Sequence, residues 1–177
     1  MRYWVKGKQR TAAHPFEHKA IVRPADFRPL RPANPNVRVQ FHELYEELIG
    51  DQERNRLICQ EVIQGLREGR SPLVLTERNE HLESLAAQLA AAVTHLIVLR
   101  GGMRRKEFGA ISGRLAVIPA KESRLLLATG RYVGEGFDDA RLGTLFLTLP
   151  VLWHGTIAQY VGRLHRLYDG KCEVRVR

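Results

Sequence analysis

The chain predicts an α/β fold, a mostly parallel sheet with helices on both faces, and three observations carry that prediction. Short apolar runs alternate with stretches of helical periodicity from Ser71 onward, the pattern of strands joined by crossover helices. The apolar runs end at Thr76, Arg100-Gly101 and Thr129-Gly130, so turn and ligand-contact residues fall where the loops at the carboxyl ends of parallel strands belong. Finally, 177 residues that are 44% hydrophobic suffice for one substantial core of ordinary domain size.

Taken in order, residues 1–36 read as a basic, proline-rich arm with an entering strand, and residues 37–177 as the domain proper. Met1 to about Pro15 is basic and lacks apolar periodicity, whereas Glu17–Arg23 can form a strand. Pro24, Pro29, Pro32 and Pro35 then bar a helix, because each lacks an amide donor and restricts its predecessor. Two helices are expected over Gln40–Ile49 and Asp51–Glu68, with Leu44, Leu48, Leu57, Ile58, Val62, Ile63 and Leu66 at helical spacing. Asp51 can cap the second and Gly69 can end it. Beyond lie strand Leu73–Thr76, helix Asn79–Ala92, strand Leu96–Leu99, helix Arg104–Val117, and strands Arg124–Ala128 and Leu145–Leu149. Helix Thr156–Arg166 and strand Glu173–Arg177 complete the set.

Lysine and arginine number 28 against 19 acids, a formal +9 that favours a polyanionic partner, of which nucleic acid is the commonest. Cys59 and Cys172 show no Cys-x-x-Cys spacing, which fits a reduced protein better than a disulfide framework or a zinc site. No apolar run approaches the length of a membrane span and the first residues lack a signal-peptide core, so a cytoplasmic protein without a membrane partner is expected.

The octapeptide Gln159-Tyr160-Val161-Gly162-Arg163-Leu164-His165-Arg166 is the most informative segment. On a helix, Gln159, Arg163 and Arg166 share one face while Ile157, Tyr160, Val161 and Leu164 share the other. Paired guanidinium groups match phosphate oxygens bidentately, although a solvated basic stripe would look the same. Ahead of it, Ala128-Thr129-Gly130-Arg131-Tyr132-Val133-Gly134-Glu135-Gly136-Phe137-Asp138 follows the apolar run Leu125-Leu126-Leu127. Its three glycines make it a loop that a ligand can approach closely.

Together these two segments, Ala-Thr-Gly-x-x-x-Gly-x-Gly-Phe-Asp and Gln-x-x-Gly-Arg-x-x-Arg, resemble motifs V and VI of superfamily 2 helicases, in that order. The strand Thr144–Pro150 lies between them, as in that family. Pro72–Leu82 looks like motif IV, and Val98-Leu99-Arg100-Gly101-Gly102-Met103 is similar to the family's glycine turn feeding a basic helix. Four ordered elements at domain-compatible spacing, covering Ser71 to Arg177, are far more specific than any one. The wording of motifs V and VI is closest to DEAD/DEAH-type proteins near type III restriction subunits. The resemblance implies the C-terminal RecA-like lobe, a three-layer P-loop-NTPase-like domain.

No Walker A loop and no acidic Asp-Glu box accompany these motifs: Gly7-Lys8 leads into Gln9-Arg10, and Gly101-Gly102 into Met103-Arg104. Asp138-Asp139 sits within the motif V loop, a poor place for a magnesium-binding acid. The resemblance therefore implies the second lobe alone, binding ATP with Mg2+ only together with a first RecA-like lobe. Gly143 departs from the polar or acidic residue expected there, and both ends of the chain read as cut from a longer motor.

Residue by residue, the resemblance makes Arg166 the arginine finger and has Arg163 reach the γ-phosphate or an acid of the first lobe. Gln159 would position motif VI, with Gly136 and Asp138 near the nucleotide. Thr129 and Gly130 would meet a nucleic-acid phosphate, with Thr76, Arg78, Arg100, Gly101 and Gly102 as further phosphate contacts; DNA is expected over RNA. Of the seven histidines, His14, His18, His42 and His165 read as surface or packing residues, and Trp153 reads as a core or lobe-interface anchor. Two other functions fit parts of the pattern. One is a nucleic-acid-binding module that kept the surface and lost the motor. The other is a Rossmann-like enzyme, against which the first strand-helix turn lacks Gly-x-Gly-x-x-Gly.

Overall fold

In the computed structural model of the chain, the described residues are 3–5, 16–30, 39–129, 139–150 and 160–177. Seven strands form one sheet in the order β1-β2-β7-β6-β3-β5-β4. They are β1 (Tyr3–Val5), β2 (Glu17–Val22), β3 (Ser71–Thr76), β4 (Leu96–Leu99), β5 (Leu125–Thr129), β6 (Leu142–Leu147) and β7 (Glu173–Val176). Every pairing is parallel except that of β1 with β2. Around the sheet lie α1 (Val39–Gly50), α2 (Gln52–Arg67), α3 (Asn79–Leu89) and α4 (Arg105–Val117), and residues 160–164 are also helical. The expected α/β architecture, a mostly parallel sheet with flanking helices, is the one found.

Alternation along the strands builds the three layers. Leu73, Leu75, Leu126, Ala128 and Leu145 face the layer that holds Ile111, Leu115, Tyr160 and Leu164. Val74, Leu125, Leu127 and Phe146 point to the other side, onto Val62, Leu82, Leu85 and Leu89 of α2 and α3. Burying each such side chain is worth roughly 1.5–3 kcal/mol, so the central strands anchor the domain. The helix ends follow local chemistry: the Asp51 carboxylate accepts from the Arg54 amide at 3.0 Å, and Gly69 adopts φ +74° where the chain leaves α2.

Several boundaries differ from the sequence expectation. The helix expected to reach Ala92 ends at Leu89, where Ala92 N–H closes a tighter turn onto the Leu89 carbonyl at 3.0 Å. The strand expected at Leu145–Leu149 begins at Leu142 and ends at Leu147, because its ladder with β3 starts from Ser71 and shifts register before Pro72. Within the stretch read as an arm, Tyr3–Val5 pair antiparallel with β2, a strand too short to show periodicity. The helix expected to run to Arg166 is helical only to Leu164; His165 N–H then bonds the Gly162 carbonyl at 3.2 Å, leaving Arg166 beyond the last turn.

Candidate functional site

The ladder itself gathers the predicted strand-end residues. Thr76 and Thr129 are register partners on β3 and β5, and Leu99 is the partner of Ala128, which sets Arg100 beside Thr129 at the same edge. Neighbouring strands lie about 4.8 Å apart, so the carboxyl ends of β3, β5 and β4 lie side by side. After β4 the chain turns at Gly101-Gly102, where Gly102 takes φ +88°, a conformation that side chains with a Cβ rarely adopt. Arg104 and Lys106, both exposed, then stand at the start of α4, where Glu107 accepts from the Arg104 amide at 2.6 Å. Cations at a helix start are disfavoured by the helix dipole, and an anion there would relieve them.

Each predicted contact has a distinct environment. The Thr129 hydroxyl is buried and has no hydrogen-bond partner among the described residues. Arg100 is exposed and pairs with Glu83 at 3.3 Å, a bond of little worth in solvent. Arg78 lies with its guanidinium 5.6 Å from the Tyr45 ring centroid, and the Tyr45 hydroxyl donates to the Pro150 carbonyl. Thr76 is different: its buried hydroxyl bonds His81 Nδ1 at 2.9 Å, and His81 Nε2 bonds Asn55 Oδ1 at 2.9 Å. Asn55 in turn donates to the Ile49 carbonyl at 2.8 Å. The hydroxyl of Thr76 is thus directed into the protein and supports the strand end from beneath.

His81 and Asn55 escaped the sequence reading because nothing in their spacing shows that they meet across two helices. Burial, reinforced by the Arg54 guanidinium, pushes the His81 pKa down to about 4. An unfolded chain protonates this imidazole near 6.5, so stability is fully present above that pH and is lost as pH falls toward 4. The loss amounts to roughly 3 kcal/mol. Urea unfolding at pH 7 and at pH 4.5 should show a drop in the wild type that is much smaller in His81→Gln; equal drops would remove the assignment.

The arginine segment is held from both sides of its helix. Tyr160 and Leu164 are buried in the core with Val161 packed against it, as the apolar face predicts. Burial and the nearby Glu77 carboxylate push the Tyr160 pKa up to about 12, which puts this helix beside the loop after β3. Arg163 is half-buried and Arg166 exposed. Lys171, another residue not singled out in the sequence, donates to the Arg166 and Ala140 carbonyls, each at 3.0 Å. Burial lowers the Lys171 pKa to about 8 against the pull of Asp139. Asp139, at the return from the glycine loop, bridges the fully buried Arg124 at 3.1 Å and Arg141 at 3.3 Å. Gln159, Gly130, Gly136, Asp138 and Trp153 lie outside the described residues.

Solved structures with the same arrangement include the C-terminal part of the Fun30 ATPase domain, matched at TM-score 0.59 and 12% identity over 73% of this chain and 41% of that one. T4 UvsW matches at 0.63 and 14% over 77% of this chain and 27% of its own. The second domain of the DEAD-box helicase Mss116p, bound to an RNA duplex, matches at 0.51 and 11% over 70% and 49%. The chain has the fold of a helicase C-terminal lobe. It spans less than half the length of each of these three proteins. No protein-family model and no curated protein sequence matches it. Among the described residues, no helix of this RecA-like fold is long and apolar enough to cross a membrane, and no cluster of His, Cys, Asp or Glu could hold a metal ion.

Proposed function

We propose that residues 37–177 form the second RecA-like lobe of an ATP-dependent nucleic-acid helicase or translocase of superfamily 2, working in the cytoplasm. The observation that carries this reading is that Thr76, Thr129 and Arg100 stand side by side at the carboxyl ends of β3, β5 and β4. In this reading the orphan hydroxyl of Thr129, with Gly130, accepts a place on a backbone phosphate, and Arg100, Gly101, Gly102 and the basic start of α4 hold the next one. Arg78 adds charge at the rim, and Thr76 supports the edge through its buried hydroxyl. DNA is the proposed strand, although the similar Mss116p domain is bound to RNA.

Arg166 acts as the arginine finger on ATP bound by the first lobe, with Arg163 on the γ-phosphate or an acid of that lobe, and Gln159, Gly136 and Asp138 beside the nucleotide. ATP and Mg2+ supply the phosphoryl group and its charge neutralisation. The cationic groups this chain would offer them are the guanidinium donors of Arg163 and Arg166, and in this reading the magnesium-binding acids belong to the first lobe. Closure of the two lobes brings Arg163 and Arg166 into place, and opening after hydrolysis releases them, so the phosphate contacts advance along the strand.

The purified chain should bind single-stranded DNA without sequence preference at roughly 10⁻⁴–10⁻⁶ M in physiological salt, and should release no phosphate from ATP. Affinity should fall linearly with the logarithm of salt concentration. A flat salt titration, or ATP turnover by the chain alone that Arg166→Ala abolishes, would overturn the assignment; a parallel RNA titration decides the nucleic acid.

A further inference from the structure

On the α2 side of the sheet, α2 and the carboxyl ends of β2, β6 and β7 enclose a cavity of about 320 Å³, at the small end of the range that accommodates ligands. Its surface is mainly apolar, and Ile21, Ile58, Phe146 and Val176 are among the residues that line it. Three arginines and one carboxylate, Glu61, are the charged residues that line it. The side-chain charge of its lining is therefore plus two (three cations less one anion).

None of the three arginines is fully compensated. Arg54 donates to the Thr148 carbonyl and, at 3.4 Å, to the Leu48 carbonyl, both neutral acceptors, and its burial disfavours the charged form against the pull of nearby Asp51. Arg177 bonds Glu61 through Nη1 at 2.6 Å and stacks 5.7 Å from the Phe146 ring centroid. Its side chain is only 8% exposed, and its Nε–H has no acceptor among the described residues. Arg23 reaches the other Glu61 oxygen at 2.6 Å, and its Nε–H is buried without an acceptor as well. Both oxygens of Glu61 are thereby occupied while two guanidinium Nε–H donors remain unmatched. Buried donors and net buried charge are costly unless an acceptor of opposite charge satisfies them.

We propose that this cavity binds a small amphiphilic carboxylate, its head beside the guanidinium groups of Arg23 and Arg177 and its apolar body against Ile21, Ile58 and Phe146. Guanidinium favours carboxylate because two parallel N–H donors match its two oxygens. Arg54 adds attraction without a contact, and Glu61 remains the fixed anion that holds both partner arginines in place. This site is independent of the helicase reading, since it uses none of the residues assigned to nucleotide or nucleic acid.

Titration of the chain with sodium octanoate, n-octanol and octylammonium, followed by calorimetry and by amide chemical shifts, tests the proposal. Octanoate should bind saturably at least tenfold more tightly than octanol, octylammonium should not bind, and the shifted amides should cluster on β2, the start of α2 and β7. Arg177→Gln should reduce octanoate to the affinity of octanol, and Leu57→Phe, which fills the cavity, should weaken both. If Arg177→Gln does not fold, Arg23→Gln serves, since that side chain is 31% exposed and its loss is tolerable at the surface. Equal binding of octanoate and octanol, octanoate binding unchanged in the arginine variant, or no saturable binding at all would overturn it.

Discussion

Arg166→Lys, in this chain joined to a first RecA-like lobe that carries the Walker loop, is expected to lower nucleic-acid-stimulated ATP turnover by about 10³–10⁵. The lysine keeps a positive charge at an exposed position just past the end of the 160–164 helix, so folding and strand binding should persist. What it loses is the planar fork that can hold two oxygens of a charge-spread transition state at once. An arginine serving only as solvated charge would change turnover by less than about threefold, within the roughly 0.5 kcal/mol typical of surface substitutions. Single-turnover hydrolysis in the joined protein separates these outcomes, and wild-type rates in the lysine variant would leave Arg166 without a catalytic role.

Asp139→Ala should be strongly destabilising. Arg124 is fully buried, and two of its nitrogens, Nε and Nη2, have no partner among the described residues. Its remaining acceptors are Asp139 at 3.1 Å and the Leu115 carbonyl at 3.4 Å. Removing the carboxylate strands a buried guanidinium, which costs about 3–5 kcal/mol, or a fall of roughly 6–20 °C in Tm. The double variant Asp139→Leu with Arg124→Met should recover most of that loss, since a buried pair exchanged for apolar groups of similar size is often neutral. Thermal unfolding of the single and double variants checks both parts; a single variant within 1 °C of wild type would contradict the ion-pair account.

The elements that could be read in advance were those whose signal is local. β3, β4 and β5 are apolar runs buried in a parallel sheet, and their carboxyl-end residues follow from the runs alone. The Asp51 cap and the Gly69 stop are likewise visible within a few residues. The interactions that were not legible join distant positions. Asp139 and Arg124 meet across 15 residues of chain, and His81 and Asn55 across 26. No periodicity marks such pairs, because burial of a polar residue depends on what packs over it. Thr76 shows the limit most clearly: its place at a strand end was predictable, but the direction of its hydroxyl follows from His81, which Asn55 of the earlier helix α2 holds in place. The end of the arginine helix was misjudged for a related reason, since Lys171 draws the Arg166 carbonyl into a turn from outside the helix.

The sheet order has a consequence for synthesis. β3 sits between β5 and β6, and the Leu75 carbonyl accepts from the Thr148 side chain, 73 residues further along. At the pace of a ribosome, about 5–20 residues per second, roughly 4–15 s separate the emergence of β3 from that of the strand that completes it. During that interval Leu73, Val74 and Leu75, which are fully or almost fully buried in the finished protein, present an apolar strand with an open edge. A nascent chain halted before residue 147 should therefore be sticky and dependent on holding chaperones, while emergence of β6 lets the sheet close around β3 from both sides.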